Sequence, residues 1–272
     1  MTNLNTDIKP KQDRGVTLIE LLVVLVMSGI LIGALYRVFI SQQKSYTVQE
    51  HVSDMQQNIR AAMDRMSTEI RMAGYGSKNL DAFGGSINGF TGIIKPEGNS
   101  KLTIIMAFEV GLLLNDPKVD KGSYKLNVAN AGEFDNNKKK YLCISGDNNY
   151  VVGSVFGNTI TLTTPLKEGH LKGEPVFLVK AITYDLGTIN DGKPVLRRNE
   201  NTGGEVEPLA DNIESLQFTY FDANDNVTPN LPLIRKIRVT VTARTDRVDP
   251  EYQGSDGYRN RSLFSDVMVR NM

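Results

Sequence analysis

Residues 16–36 read VTLIELLVVLVMSGILIGALY, an apolar run carrying a single charge, Glu20. At 1.5 Å per residue, a helix of that length spans the ~30 Å hydrocarbon core of a bilayer. Lys9, Lys11 and Arg14 precede the run, whereas only Arg37, and further on Lys44, follow it. That asymmetry predicts a cytoplasmic N-terminus, with the bulk of the chain across the membrane. A secretory signal would have a shorter apolar core and a small-x-small cleavage site after it, and none is evident beyond Tyr36. A plain signal anchor accounts for this topology on its own.

Two details go further. The run begins abruptly after Arg14-Gly15, and a carboxylate, Glu20, sits five residues past that glycine. An ionisable group inside a membrane span costs on the order of 2.5–3.5 kcal/mol at the centre and less near an end, so it marks a functional residue by default. The stretch Arg14-Gly15-Val16-Thr17-Leu18-Ile19-Glu20-Leu21-Leu22 resembles the class III signal of type IV pilins and type II secretion pseudopilins. The resemblance implies that a membrane prepilin peptidase cuts between Gly15 and Val16 and methylates the new N-terminus at Val16. The family's usual first mature residue is Phe or Met, and Val16 departs from it. Residues 1–15 are then a cleaved leader, and residues 16–74 a long helix whose first part, 16–36, crosses the membrane. Cleavage would create a positive α-amino group at Val16, which the Glu20 carboxylate neutralises within its own chain or on a neighbour. Opposite charges ~4 Å apart gain about 4 kcal/mol at an effective dielectric of 20, before desolvation is subtracted. A lipid-facing Glu20 snorkelling to the interface is the alternative. Gly29 and Gly33 form a G-x-x-x-G pair that permits close helix packing, although glycine is also tolerated in membrane helices without such a role.

Beyond the span, apolar residues recur at Val48, Val52, Met55, Ile59, Ala62, Met66, Ile70 and Ala73, in steps of three and four. This is one stripe of a helix, backed by Gln49, Glu50, Asp54, Arg60, Asp64 and Arg71. No proline interrupts the chain between Lys11 and Ile94, and the first strong breaker is Gly74-Tyr75-Gly76. The helix is therefore apolar all round in its first half and on one face in its second. Pilins share this plan, with the second half packed on a globular domain; a coiled coil is the rival reading of the stripe.

From Lys101 the periodicity changes to two. Strands are expected at 102–108, 124–128, 141–145, 150–156, 159–163, 176–184, 194–198, 213–221, 234–244 and 262–269. Ile237, Val239, Val241 and Ala243 alternate with Arg238, Thr240, Thr242 and Arg244, the signature of a half-buried strand. Turn signals lie at Gly146-Asp147-Asn148-Asn149, Phe156-Gly157-Asn158 and Asn190-Asp191-Gly192. The expectation is an α+β, pilin-like fold, in which residues 75–272 form a mainly antiparallel sheet domain against the amphipathic helix half.

A narrower resemblance joins it. Leu209-Ala210-Asp211-Asn212-Ile213-Glu214-Ser215-Leu216-Gln217-Phe218 is similar to the PilW family of type IV pilus assembly proteins. So are Ile234-Arg235-Lys236-Ile237-Arg238-Val239, Ala243-Arg244-Thr245, the ending Val267-Met268-Val269-Arg270-Asn271, and Ile70-Arg71-Met72-Ala73-Gly74-Tyr75. Family-like stretches cover 14–75 and about 194–271; the segment 76–193 resembles nothing that can be named. The resemblance implies a minor pilin that primes or caps a type IV pilus, inserted in the inner membrane with its C-terminal domain in the periplasm. The implied partners are other minor and major pilins, the prepilin peptidase, the inner-membrane pilus assembly platform and membrane lipid. The alternative is a J-type minor pseudopilin of a type II secretion system.

Composition narrows the remaining classes. The 272 residues carry 31 basic and 31 acidic side chains, without the basic excess of a dedicated nucleic-acid binder, so no nucleic acid partner is expected. One cysteine, Cys143, and two distant histidines, His51 and His170, give no basis for a disulfide or a metal cluster, and no cofactor is expected. Asp222, Asn224 and Asn226 place oxygen donors at alternate positions, as calcium loops do. The required glycine is missing and Leu233 stands where a closing Glu belongs, so a polar turn is the better reading. Lys138-Lys139-Lys140 reads as a solvated loop. Ser145, Asp185 and His170 could be strung into a triad, but no nucleophile-elbow motif supports it, and no enzyme activity is expected.

Overall fold

A computed structural model of the chain describes residues 15–77, 79–188, 192–249, 251–254 and 256–271. The leader basic residues Lys9, Lys11 and Arg14, and Asn190 and Asp191 of one expected turn, lie outside the described residues. The chain divides into two compact units, Met1–Glu50 and His51–Met272.

One helix, α1 (Leu18–Met72), contributes to both units. It begins two residues later than the apolar run because Thr17 caps it from outside. In the first unit its side chains are exposed on every face, including the large apolar residues from Leu18 to Phe39. This helix is long and apolar enough to cross a membrane, with none of its most apolar window buried.

In the second unit α1 is amphipathic and buries one face. Met55, Ile59, Ala62, Met63, Met66 and Ile70 are buried on it, as the three-and-four spacing predicts. The helix stops where Gly74 and Gly76 adopt φ of +83° and +64°, a conformation costly for residues with a Cβ. A Cβ at Gly74 would also stand 2.4 Å from the carbonyl oxygen of Asn271. The glycine therefore both ends the helix and lets the chain's C-terminal segment close against it.

Among the described residues the rest of this unit has fourteen strands and two short 3-10 helices, Leu80–Phe83 and Leu231–Leu233. The strands are β1 (Ile94–Glu97), β2 (Lys101–Leu113), β3 (Lys118–Val119), β4 (Lys125–Asn127), β5 (Tyr141–Ile144), β6 (Asn148–Phe156) and β7 (Thr159–Leu162), then β8 (His170–Leu171), β9 (Pro175–Thr188), β10 (Pro194–Asn199), β11 (Glu207–Asp211), β12 (Ile213–Phe221), β13 (Lys236–Arg244) and β14 (Asn260–Met268). All pairings are antiparallel. One sheet runs β1-β2-β9-β5-β6-β7-β4, with β10 joined to β9 and β11 to β10; a second is β12-β13-β14; a third pairs β3 with β8.

Each expected strand has a counterpart, with ends shifted by a few residues. β1, β3, β8 and β11 were not foreseen. β3 and β8 have two residues each, and β1 and β11 contain Pro96 and Pro208. Proline cannot donate to a ladder and is tolerated at sheet edges, where both strands lie. β9 shows nine consecutive buried residues because it is covered on both faces, whereas β13 alternates strictly between buried and half-buried.

The main core joins the α1 stripe to both larger sheets. Ile59, Met66 and Ile70 pack with Ile104, Ile182, Leu216, Val239, Val241 and Val267. The stripe is thus consumed within its own domain, as the globular-packing reading requires and the coiled-coil reading does not. Two satellite cores lie elsewhere, one around Leu126, Tyr150 and Leu178, the other around Phe83, Ile105 and Phe177.

Candidate functional site

The sequence concentrates its chemistry at the start of α1. Gly15 and Val16 precede the helix without regular structure, and both are exposed. The Thr17 N–H and its hydroxyl each donate to Oε2 of Glu20 at 3.1 Å, and the Glu20 N–H donates back to Thr17 Oγ1 at 3.3 Å. This is a reciprocal capping box, in which a Thr cap and a Glu three residues on satisfy backbone donors that the helix leaves free. It also holds a carboxylate at the positive end of the helix dipole. Sequence reasoning selected Glu20 but missed Thr17, although T-x-x-E before an apolar run is a readable signal.

The arrangement can do one thing well. The peptide nitrogen that cleavage after Gly15 would turn into an ammonium belongs to Val16, the neighbour of the residue already bonded to Glu20. The carboxylate is held next to where that positive charge would arise. Gly29 and Gly33 lie further along α1, one turn apart, with nothing within 4 Å of a Cβ built on either. They leave a smooth, uncovered strip, and no helix packs on it among the described residues.

Residues 10–36 match the prokaryotic N-terminal methylation motif. No curated protein and no solved structure matches the chain. The methylation motif and the long apolar helix together support a pilin-like protein, of the type IV pilus or type II secretion kind. Such a motif implies processing by a prepilin peptidase and assembly with other pilins, and it fits anchoring in a membrane by the motif helix.

A second polar constellation escaped sequence reasoning altogether. Glu69, on the stripe side of α1, is buried with Arg198 of β10 and Tyr184 of β9. Arg198 Nε donates to Glu69 Oε2 at 3.0 Å and Oε1 at 3.2 Å, Arg65 Nε donates to Oε1 at 2.8 Å, and the Tyr184 hydroxyl donates to Oε2. Arg198 Nη1 reaches Glu200 at 3.0 Å and Glu207 at 3.2 Å, and Lys180 donates to Glu200 at 2.8 Å. Burial, reinforced by the Glu69 charge, pushes the Tyr184 hydroxyl far above its ordinary range. Burial opposes the Arg198 charge, but the bond to and charge of Glu69, the bond to Glu200 and the Tyr184 hydroxyl together outweigh it and raise that group. For Glu200, too, burial works against ionisation, yet Lys180 and Arg198 hold the carboxyl below its usual range. The network ties α1 to the large sheet. Its only sequence signal was a Glu three residues after Met66 and beside Ile70.

The other candidate residues engage different partners. Ser145 Oγ and His170 Nδ1 both contact Glu174 Oε2, at 2.9 and 2.7 Å, while Asp185 is held by Arg197 at 2.9 Å. The serine hydroxyl thus donates to a carboxylate, and Asp185 serves a different pair. Asp222 Oδ1 accepts the N–H groups of Asn224 and Asn226 at 2.8 and 2.9 Å, and Phe221 bridges Val227, so this segment is the expected polar turn. Cys143 is buried, and burial pushes its thiol up to about 12. Among the described residues no group of three or more His, Cys, Asp or Glu is placed to hold a metal ion.

Proposed function

We propose that the chain is a minor pilin of the PilW kind that takes part in assembling a type IV pilus, in a priming or tip complex, and has no enzymatic activity of its own. The observation that carries this reading is the coincidence of Gly15, the capped Glu20 and the uninterrupted apolar helix within the matched motif. The PilW-like stretches at 209–218, 234–239 and 267–271 favour a pilus over a secretion pseudopilus. They fall at the end of β11 and the start of β12, at the start of β13, and at the end of β14 with the segment that closes on Gly74. In this reading the helix inserts in the inner membrane with the sheet domain in the periplasm, and later enters the filament core. Glu20 sets the axial register among otherwise featureless apolar helices.

Removing the 15-residue leader from the 272 residues leaves a mature chain of 257. Mass spectrometry of the N-terminal peptide from membranes or sheared pili is expected to begin at Val16, one methyl group heavier than the sequence. An intact Met1 would refute the processing.

Glu20→Ala should leave insertion and cleavage in place while depleting the protein from the sheared-pilus fraction. The change removes a charge partner without shortening the apolar span, and loss of a charge-assisted bond of about 1.5–3 kcal/mol corresponds to a reduction of roughly ten-fold or more. Equal recovery of mutant and wild type in that fraction would sink the register role.

A further inference from the structure

The second sheet ends in an edge unlike the others. In β14 the pairing with β13 continues over nine residues without a register shift. Two flanking bonds, Val269 N–H to Arg235 O at 2.9 Å and Thr245 N–H to Arg259 O at 3.0 Å, fix the phase of this ladder. In an antiparallel pair, residues alternate between bonding inward and bonding outward. The odd-numbered residues of β14 therefore bond β13, and the N–H and C=O groups of Ser262, Phe264 and Asp266 point away from the sheet. Among the described residues no strand pairs with that side.

Elsewhere the edges are protected. β1 and β11 contain prolines, β11 faces a register shift, and β4 has three residues. β12, on the opposite side of the small sheet, already gives its Phe218 N–H to Asn99 O at 2.7 Å and accepts Thr228 N–H at 2.9 Å through Tyr220 O. Proteins usually blunt edges with proline, bulges or free charge, since a bare one templates pairing with another chain. β14 has no proline and no bulge, and its exposed Arg261 lies at the start of the strand, away from Phe264 and Met268. Its Asp266 is neutralised by a two-pronged bond from Arg238 at 2.7 and 2.8 Å. On the same strand Phe264 and Met268 remain 68% and 59% exposed, two positions on either side of Asp266.

We propose that β14 is a docking edge that receives an extended strand from a different pilin-type subunit. This rests on the reading of the chain as an assembling pilin. The outward N–H and C=O groups specify a strand as the occupant, and the alternation of Phe264, Asp266 and Met268 on one face specifies its chemistry. Apolar side chains opposite Phe264 and Met268 and an uncharged or basic one opposite Asp266 complete it. A second copy paired antiparallel through β14 is the alternative occupant. The two-fold axis of such a pair stands normal to the sheet and reverses every direction lying along it, including that of the α1 segment packed on it. Subunits that assemble with these helices parallel do not make such a pair, and an adduct joining two peptides of this chain would overturn the proposal.

The test uses the full chain in cells that assemble the filament. With the photo-crosslinking residue p-benzoylphenylalanine replacing Phe264, irradiation is expected to yield an adduct whose second peptide comes from another pilin-type subunit. The same residue at Phe156, 89% exposed on another sheet, is the control and should give at least ten-fold less of that adduct. Ser262→Pro removes an outward N–H and leaves the backbone bonds to β13, and Ser262→Lys adds an edge charge while keeping the backbone. Both lose the exposed 2.7 Å bond between the Ser262 and Thr242 hydroxyls, so Ser262→Ala, which loses that bond alone, is the control for it. Each of the first two should lower the adduct at least ten-fold below Ser262→Ala, with the thermal midpoint of the domain unchanged. Undiminished adduct with Ser262→Lys, equal adduct at Phe156, or adduct to lipid alone would overturn the proposal. The two readings fail separately. An unprocessed N-terminus defeats the pilin reading, whereas a processed Val16 with no subunit adduct at 264 defeats only the docking edge.

Discussion

Glu69→Ala is expected to destabilise the sheet domain by about 3–5 kcal/mol, the usual cost of breaking a buried ion pair by removing one partner. Arg198 is 2% exposed and would keep only Glu200 and Glu207, both nearer the surface. The buried Tyr184 hydroxyl would lose its acceptor as well. Against a typical total of about 5–15 kcal/mol, this leaves the domain marginal. Urea unfolding of a chain beginning at Ser45, followed by far-UV circular dichroism, measures it, and an unchanged midpoint would show that the network contributes nothing. Replacing all three members together, with Glu69→Leu, Arg198→Met and Tyr184→Phe, should recover most of the loss, because a well-packed apolar set avoids the desolvation of the charges. The same network sets a pH dependence. The Glu200 carboxyl is depressed in the folded state, so its contribution is fully present above the unfolded value of about 4.3. It fades as pH falls below that, through the lower folded value, so the midpoint should drop on the acid side and stay flat from pH 5 to 8.

The second large effect concerns the split role of α1. A chain beginning at Ser45 should be a soluble, monomeric domain, because it omits the fully exposed apolar half and retains the stripe that the sheets cover. Within it, Ile59→Asp should unfold or aggregate the protein. Ile59 is fully buried in the main core, so the change forfeits roughly 1.5–3 kcal/mol of apolar burial and adds the larger cost of an unpaired buried charge. Sedimentation equilibrium and thermal melts at two concentrations test both claims. A concentration-dependent dimer that tolerates Ile59→Asp would mean that the stripe serves helix pairing and not the domain.

Much of this molecule is written locally. The span, the Gly15–Val16 junction, Glu20 and the amphipathic stripe are all features of residues near one another in sequence, and a helix turns such spacing directly into one face or one end. β13 was legible for the same reason, since a strand buried on one side shows its alternation. The capping box at Thr17 and Glu20 was equally local and could have been read. β9 was found, but its double-sided burial was not, because a continuous apolar run does not say what covers it.

What the sequence could not determine is held by long-range pairing. Glu69 meets Arg198 and Tyr184 across 129 and 115 residues, and no local rule links those positions. The proline-containing strands β1 and β11 exist because a longer neighbour offers them a ladder, and the two-residue strands β3 and β8 exist because the fold brings them together, not because their own residues favour a strand. The bare edge of β14 is likewise a property of strand order. The sequence by itself determined a helix long and apolar enough to cross a membrane, with a carboxylate near its start, followed by alternating strands, since these follow from hydrophobic period and residue placement. Only the tertiary structure decided which carboxylate is buried, which edge is open and why Gly74 must be glycine, because burial and hydrogen-bond partners depend on segments brought together from distant parts of the chain.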